Sequence, residues 1–535
     1  MASLSIKEKI GYALGDGAAN IAWRGVSTFL FIFYTDVFGL SPAAVGLLFL
    51  VARFGDGISD VLMGIICDRT NTKHGKFRPW ILWSAIPLGV ILSLLFMSPD
   101  FSPTGKLVYA YTAYIVFTLI YTANNIPYGA LMAVMTGDDK ERTSLGSYRM
   151  VGAFVGGMVV QGALLFLVAY FGNINPDITV SKLDDKKYEV TVFTTQEVKN
   201  VNIKTKEGIG TFIWADTALT ENTPTQGKSF TMDANKPYSF VVAGEENLTS
   251  EQITIVDQKR GYSNAIYLLS FFLSIFMIIT FLTTKERVLP PKNQVTNLGQ
   301  DLKDLIRNRP WMVLLGIGVL FSVFNSIKQG IVVIYFTHYL HNPLLTASFL
   351  IALAFASIGG AMITAPLGKR FGKRNLFIYA LIFSGLVNVL FMFCSPSDTI
   401  GIFVIGIIGE IGAAVFPTLF FAMLGDAADY SEFKNGRRAT GLVYSAGSFA
   451  TKFGGGIAGA IIGLVLASFH YDGQSEAAIQ GAIPGIVMLM SWIPAIIAMI
   501  AAGFMVLYPL TQAKMDEITS ELSSRRANDN VPTLE

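Results

Sequence analysis

Apolar residues run on for about twenty positions at a time and stop at short charged turns. Runs of that length cross a bilayer as helices. They fall at 12–37, 42–67, 79–98, 107–135, 147–171, 262–283, 311–340, 344–367, 376–395, 401–424, 440–469 and 483–509. The pattern predicts twelve spans, six on each side of a polar connector at 284–310. It breaks once, at 172–261, where Thr, Asn, Lys, Asp and Glu predominate and KYEVTVF, VNIKTK, GTFIWAD, KSFTMD, YSFVVAG and QITIVD alternate as strands do. Short strands with Gly, Asn and Pro between them predict a small β-sandwich. A disordered spacer is the alternative.

The expected division is therefore helices 1–5 in 1–171, the β-rich insert in 172–261, helix 6 in 262–283, the linker at 284–310, helices 7–12 in 311–510 and a tail at 511–535. The tail TQAKMDEITSELSSRR reads as a short amphipathic helix.

Loop charge orients the spans. The turns after spans 2, 4, 6, 8 and 10 carry Arg69, Lys73, Lys76 and Arg78; Lys140 and Arg142; Lys285, Arg287, Lys292, Lys303, Arg307 and Arg309; Lys369, Arg370, Lys373 and Arg374; and Lys434, Arg437 and Arg438. Lys106 is the exception on the short loops opposite. Both termini are expected in the cytosol and the insert outside. MASLSIKEK has no cleavable signal pattern.

Composition agrees. Of 535 residues 52% are hydrophobic and only 15% charged, with mean hydropathy +0.50; soluble chains are about a quarter charged. The expected surroundings are a bacterial-type inner membrane. A net charge of +2 offers nothing to a nucleic acid. Cys67 and Cys394 are too few for a disulfide scaffold or a Cys-rich metal site. No nucleophile–base pair or metal constellation stands out, so neither an enzyme nor a cofactor is expected.

The halves echo each other. DRTNTKHGKFRPW follows span 2 and GKRFGKRN follows span 8; ERTSLGSYRMVGAFVGG enters span 5 and RRATGLVYSAGSFATKFGGG enters span 11. Duplicated bundles are transporter architecture, and the basic turn after the second span of each half resembles the major facilitator superfamily.

An ionisable residue at mid-membrane costs about 2.5–3.5 kcal/mol on insertion scales and so needs a reason. In span 2, Asp56 and Asp60 lie four apart on one helix face with Ser59 beside them. Two carboxylates so close need a cation or a proton, and Thr122 of span 4 offers another oxygen. A structural ion pair with Arg53 is the alternative. The cations Arg24, Arg149, Lys328 and Lys452 lie in spans 1, 5, 7 and 11, accompanied by Asn20, Asn124, Asn125, Asn325, Tyr121 and Tyr148. Cations, amides and aromatics suit a sugar bearing a carboxylate.

YALGDGAANIAW, YTDVFGL, LVARFGDGISDVLMG, DRTNTKHGKFRPW, NNIPYGAL and DAADYSEFKNGRRATGLVYS together resemble the glycoside–pentoside–hexuronide:cation symporters, of which the melibiose carrier is the best known. The resemblance covers nearly the whole chain outside 172–261. It implies an all-α membrane protein of twelve helices in two pseudo-symmetric six-helix bundles, the major facilitator fold. It also implies alternating access with sugar uptake coupled to Na⁺, H⁺ or Li⁺. By matching motifs, Asp56, Ser59, Asp60 and Thr122 fall on the family's cation ligands, and Asn20, Tyr121, Asn125, Arg149 and Lys452 on its sugar contacts. Relative to the melibiose carrier, Ser59 replaces an Asn, Asn20 and Asn125 replace carboxylates, and Gly129 and Pro417 replace tryptophans.

Fewer anions among these cations point to an acidic sugar, a uronate or uronate-containing oligosaccharide. Arg149 and Lys452 are its expected holders, with help from Arg24 or Lys328. Na⁺ is favoured over H⁺ because Ser59 and Thr122 add neutral oxygens, and the working unit is expected to be a monomer. Two alternatives stand: a neutral-sugar carrier whose cations pair with Asp16, Asp36 or Glu410, and a non-transporting sensor reading a ligand through the β-insert. A cytosolic gate is expected from Asp68, Asp138 and Arg142 against Arg370, Asp426, Asp429 and Arg438.

Overall fold

A computed structural model of the chain describes residues 4–136, 139–174, 176–184, 187–195, 197–205, 211–213, 230–243, 249–250, 253–287, 305–435 and 440–529. The apolar runs become α1 (Ile6–Ile32), α2 (Pro42–Arg69), α3 (Arg78–Leu95), α4 (Pro103–Met135), α5 (Asp139–Gly172), α6 (Gln258–Thr283), α7 (Arg309–Ile334), α8 (Leu345–Phe371), α9 (Lys373–Val389), α10 (Thr399–Ala413), α11 (Val415–Asn435), α12 (Thr440–Ser468), α13 (Glu476–Met490) and α14 (Trp492–Met505). Ten described segments are long and apolar enough to cross a membrane, α10–α11 and α13–α14 each counting as one. Helices α1 and α2, which hold Asp16, Arg24, Arg53, Asp56 and Asp60, complete the twelve.

Both paired spans break for one reason. Pro417 and Pro494 each lack the N–H that would have bonded the carbonyl four residues back, at Ala413 and Met490, where α10 and α13 stop.

The repeat is visible in the packing. Helix α1 lies against α5 and α6, and α3 against α4 and α6; in the second half α7 lies against α12 and α14, and α9 against α10 and α14. Among the described residues, the halves are joined by α2 with α12, its mate α5 with α8, and α1 with α7. The α2–α12 contact is close because glycines face each other. A Cβ on Gly46 would lie 2.6 Å from the Gly459 carbonyl oxygen and 3.1 Å from the Gly463 Cα. Glycine is required there.

The last described helix, α15 (Gln512–Asp529), buries Ile518 and Leu522 in the core of the second half. That is the amphipathic tail expected from the sequence.

Strands β1 (Asn173–Ile174), β2 (Asp177–Asp184), β3 (Lys187–Phe193), β4 (Val198–Thr205), β5 (Thr211–Ile213), β6 (Phe230–Met232), β7 (Pro237–Ala243) and β8 (Ile253–Asp257) form two antiparallel sheets, β1-β8-β4-β6 and β2-β3-β7-β5. Alternate residues Tyr188, Val190 and Val192 point inward and share one core with Val198, Met232, Tyr238 and Phe240, so the sheets face each other as a sandwich. The insert springs from a narrow stem. Asn173 pairs with Val256, and Ile174 with Ile255, directly where α5 ends and α6 begins. This end of the bundle is the insert end below.

Candidate functional site

One face of α2 carries Arg53, Asp56 and Asp60 towards α4 and α12. Arg53 is buried; its Nη1 donates to Asp56 Oδ2 at 2.6 Å, its Nη2 donates to the Tyr114 hydroxyl at 3.2 Å, and its guanidinium stacks 4.6 Å from the Trp23 ring centre. Asp56 is thus half of an ion pair three residues apart, and buried pairs of this kind hold only while both partners remain.

One turn on, Asp60 is engaged differently. Its Oδ1 accepts the Thr122 hydroxyl at 3.0 Å, and its Oδ2 accepts the Lys452 ammonium. Lys452 comes from α12, so this contact crosses between the halves. The Ser59 hydroxyl turns back to the Asp56 carbonyl at 3.1 Å. Of the four expected cation ligands, the fold joins Asp60 with Thr122, gives Asp56 to Arg53, and adds an ammonium the sequence had assigned to sugar. Among the described residues, no three His, Cys, Asp or Glu side chains converge as a metal centre.

The expected sugar contacts other than Lys452 spread over α1, α4, α5 and α7. Arg149 lies with its Nε 3.3 Å from Asp16 Oδ2 and its guanidinium 5.5 Å from the Tyr128 ring centre. Asn20 Nδ2 donates to the Asp16 carbonyl at 2.9 Å. The Tyr121 ring packs 5.4 Å from Trp23, and Asn125 is half-buried one turn further along α4. Asn124 does not share this surface: fully buried, it donates to Ser84 of α3 at 2.8 Å. Arg24 Nη1 donates to Gln329 Oε1 at 2.9 Å, again across the halves. Lys328 Nζ is 3.6 Å from Glu410 Oε2 and 5.2 Å from the Phe324 ring centre. A Cβ on Gly129 would meet nothing within 4 Å, while Pro417 is exposed.

The gate candidates fall mostly outside what can be described. Asp138 and Arg438 lie outside the described residues, as do the side chains of Asp68 and Arg142. Asp426 pairs with Lys373 of its own half at 2.7 Å, Arg370 is exposed beside Phe371, and Asp429 is half-buried.

At the insert end lies a junction that sequence reasoning missed. Helices α1 and α7 both finish in one π-helical turn, Phe33–Val37 and Tyr335–Tyr339, with matching bonds from Leu40 N to Tyr34 O (2.8 Å) and from Asn342 N to Phe336 O (2.9 Å). Asp36 and His338 occupy the same position in the two turns and meet: His338 Nε2 lies 2.7 Å from Asp36 Oδ2. The Tyr471 hydroxyl donates to Asp36 Oδ1 at 2.8 Å and lies 3.0 Å from His338 Nε2, and Thr35 donates to Asp36 Oδ1 at 2.6 Å. Aligning YTDVFGL with FTHYLHN would have exposed the match.

Tyr471→Phe removes two of these polar contacts. Hydrogen bonds to charged groups are worth about 1.5–3 kcal/mol, so the closed-to-open ratio at the insert end should fall about 10- to 100-fold. Thiol labelling of a cysteine placed at the insert end should quicken accordingly. Unchanged labelling would show that Asp36, His338 and Tyr471 do not hold the halves together.

The sequence matches the family described as MFS/sugar transport protein over residues 11–197 and 240–512. Among curated proteins it is 30% identical to the putative glycoside/cation symporter YagG of Escherichia coli (98% of this chain, 97% of that protein). It is 29% identical to the isoprimeverose transporter of Lactiplantibacillus pentosus (98% and 92%) and 29% to the glucuronide carrier protein homolog of E. coli (98% and 96%). Among solved structures, a bacterial homolog of the human lysosomal transporter Spinster superposes with a TM-score of 0.62 at 12% identity, over 94% of this chain and 96% of that one. This last likeness concerns the fold alone.

Proposed function

The chain belongs to the MFS/sugar transport family, and we propose that it imports a sugar bearing a carboxylate together with a monovalent cation, Na⁺ in preference to H⁺, by alternating access. The observation that carries this reading is the meeting of Asp60 and Lys452 across the two halves, with Thr122 on the same carboxylate. The Lys452 ammonium occupies Asp60 as a coupling cation would. A cation arriving at Asp60 with Thr122 displaces it and frees the three donors of the ammonium for the oxygens of the sugar. Cation binding and sugar binding then help each other, which is what coupling requires.

The halves meet through α2–α12, α5–α8 and α1–α7, with Asp36, His338 and Tyr471 joined at the insert end. We assign this arrangement to the state closed on the insert side. The basic turns support a topology with that side outside the inner membrane and both termini in the cytosol. The cytosolic gate is assigned to Asp68, Asp138, Arg142, Arg370, Asp426, Asp429 and Arg438, with the monomer as working unit.

A second reading, neutral-sugar symport, draws support from the carboxylates beside Arg149 and Lys328. Thermal stabilisation of the purified protein by matched acidic and neutral sugars, with and without Na⁺, separates the two. Na⁺-dependent stabilisation by the uronate is expected. Stronger stabilisation by the neutral partner would replace the first reading with the second.

The insert is assigned to substrate capture or partner docking, apart from transport itself. Because β1 and β8 already bring its ends together, replacing the chain between Ile174 and Ile253 with a short Gly/Ser linker should leave uptake at saturating sugar within about twofold; ligating such close ends costs little loop entropy. A well-folded deletion that transports nothing would make the insert part of the transport machine.

A further inference from the structure

Apart from the Asp36–His338 junction, the charges at and beside the contact of the halves form four groups among the described residues. Arg53 with Asp56, Lys452 with Asp60, and Arg149 with Asp16 each pair one cation with one carboxylate. The fourth group differs. Arg24 of α1, which bonds Gln329 of α7, and Lys328 of α7 are linked through Glu410, whose charge acts on Arg24 and whose Oε2 lies 3.6 Å from Lys328 Nζ. Among the described residues, the carboxylate beside these two cations is Glu410, on α10, so one positive charge is left over. It is distributed unevenly.

Arg24 hydrogen-bonds a neutral amide, which cannot offset its charge. Lys328 has a side chain only 7% exposed, and its ammonium makes no hydrogen bond; Glu410 stands off at 3.6 Å. Glu410 is itself held back, because its other oxygen accepts the Ser357 hydroxyl of α8 at 2.7 Å. A buried ammonium with three donors and no acceptor is costly. An arriving anion would satisfy it.

We propose that Arg24 and Lys328 together form the subsite that receives the carboxylate of the sugar, with Glu410 the resident anion that stands beside the Lys328 ammonium until the substrate carboxylate takes its place. This rests on the acidic-sugar reading and refines it by moving the anionic group away from Arg149 and Lys452. One substrate carboxylate brings the group to neutrality. Arg24 supplies a planar fork for two parallel bonds, and Lys328 a point charge. Because the two cations belong to different halves, a bound carboxylate ties α1 to α7 along the axis that relates the repeats. Neutral sugars gain nothing from this tie, so the subsite sets specificity.

The test measures binding of methyl β-D-glucuronide and methyl β-D-glucoside to the full chain in lipid nanodiscs. The wild type should prefer the glucuronide. Arg24→Gln and Lys328→Gln should each weaken glucuronide binding about tenfold or more, the value of a charge-assisted hydrogen bond, and leave the glucoside nearly unchanged. Glu410→Gln removes the competing anion and should tighten glucuronide binding severalfold, a gain that misfolding cannot mimic. If the wild type prefers the glucuronide but Arg24→Gln and Lys328→Gln keep that preference, or if Glu410→Gln weakens glucuronide binding, the subsite is wrong and acidic-sugar transport stands. If the wild type prefers the glucoside, both fall together.

Discussion

Asp60→Asn is expected to abolish concentrative uptake while leaving exchange down a gradient. The substitution keeps the shape of the side chain and removes its charge. A cation then loses its carboxylate ligand, and the Lys452 ammonium loses the partner that holds it across the halves. Sugar can still enter and leave, but nothing ties its movement to the ion. A tenfold ion gradient is worth about 1.4 kcal/mol, and each net charge moved through 100 mV about 2.3 kcal/mol. With coupling lost the ion gradient contributes nothing, and in vesicles held without a membrane potential the steady-state ratio of internal to external sugar should fall to about one. The wild type has a second signature. A monoanion entering with one monovalent cation moves no net charge, so collapsing the membrane potential should leave accumulation intact while collapsing the ion gradient abolishes it. Reconstituted vesicles with set ion gradients measure both. An Asp60→Asn variant that still accumulates sugar would remove Asp60 from the coupling site.

The second large effect is steric. Gly46→Val places side-chain atoms where the backbone of α12 already lies, 2.6 Å from the Gly459 carbonyl oxygen and 3.1 Å from the Gly463 Cα. A flexible neighbour could swing aside, but a helix backbone cannot. Overpacking a tight contact costs about 1–3 kcal/mol, and more where backbone must move. The only relief is to part α2 from α12, which opens the contact between the halves. Uptake and counterflow should drop at least about tenfold, with thiol labelling at the insert end increased. Gly64 lies on the same helix with nothing within 4 Å of the position its Cβ would take; Gly64→Ala should transport normally. Wild-type counterflow in Gly46→Val would mean that α2 and α12 need not approach this closely during transport.

Much of this molecule is decided by local chemistry. The apolar runs dictate the spans because a bilayer leaves a backbone no alternative to helix, and even the breaks at Ala413 and Met490 follow from Pro417 and Pro494. The alternation in KYEVTVF puts Tyr188, Val190 and Val192 on one face, so the β-sandwich between spans 5 and 6 is legible as well. The shared face of Asp56 and Asp60, and the presence of Arg24, Arg149, Lys328 and Lys452 in apolar helices, can also be read without coordinates. Even Lys106, the exception to the charge pattern, resolves simply: from the first turn of α4 it reaches the Phe38 carbonyl at 2.9 Å.

Which charge meets which is another matter. Asp56 turns to Arg53 three residues away, whereas Asp60, on the same face, meets Lys452 from 392 positions along the chain. Helical spacing predicts the first contact and is silent on the second. The Arg24–Gln329 bond, the isolated ammonium of Lys328, and the meeting of Asp36 with His338 and Tyr471 likewise arise where α1, α2, α7 and α12 pack together. The physical reason is general. Secondary structure and burial answer to residues a few positions apart and to the solvent, while the partner of a buried charge is set by how two helices cross. The spans therefore offer cations and carboxylates to one another, and only the tertiary structure decides that three of the cations sit beside carboxylates of their own while Arg24 and Lys328 share Glu410.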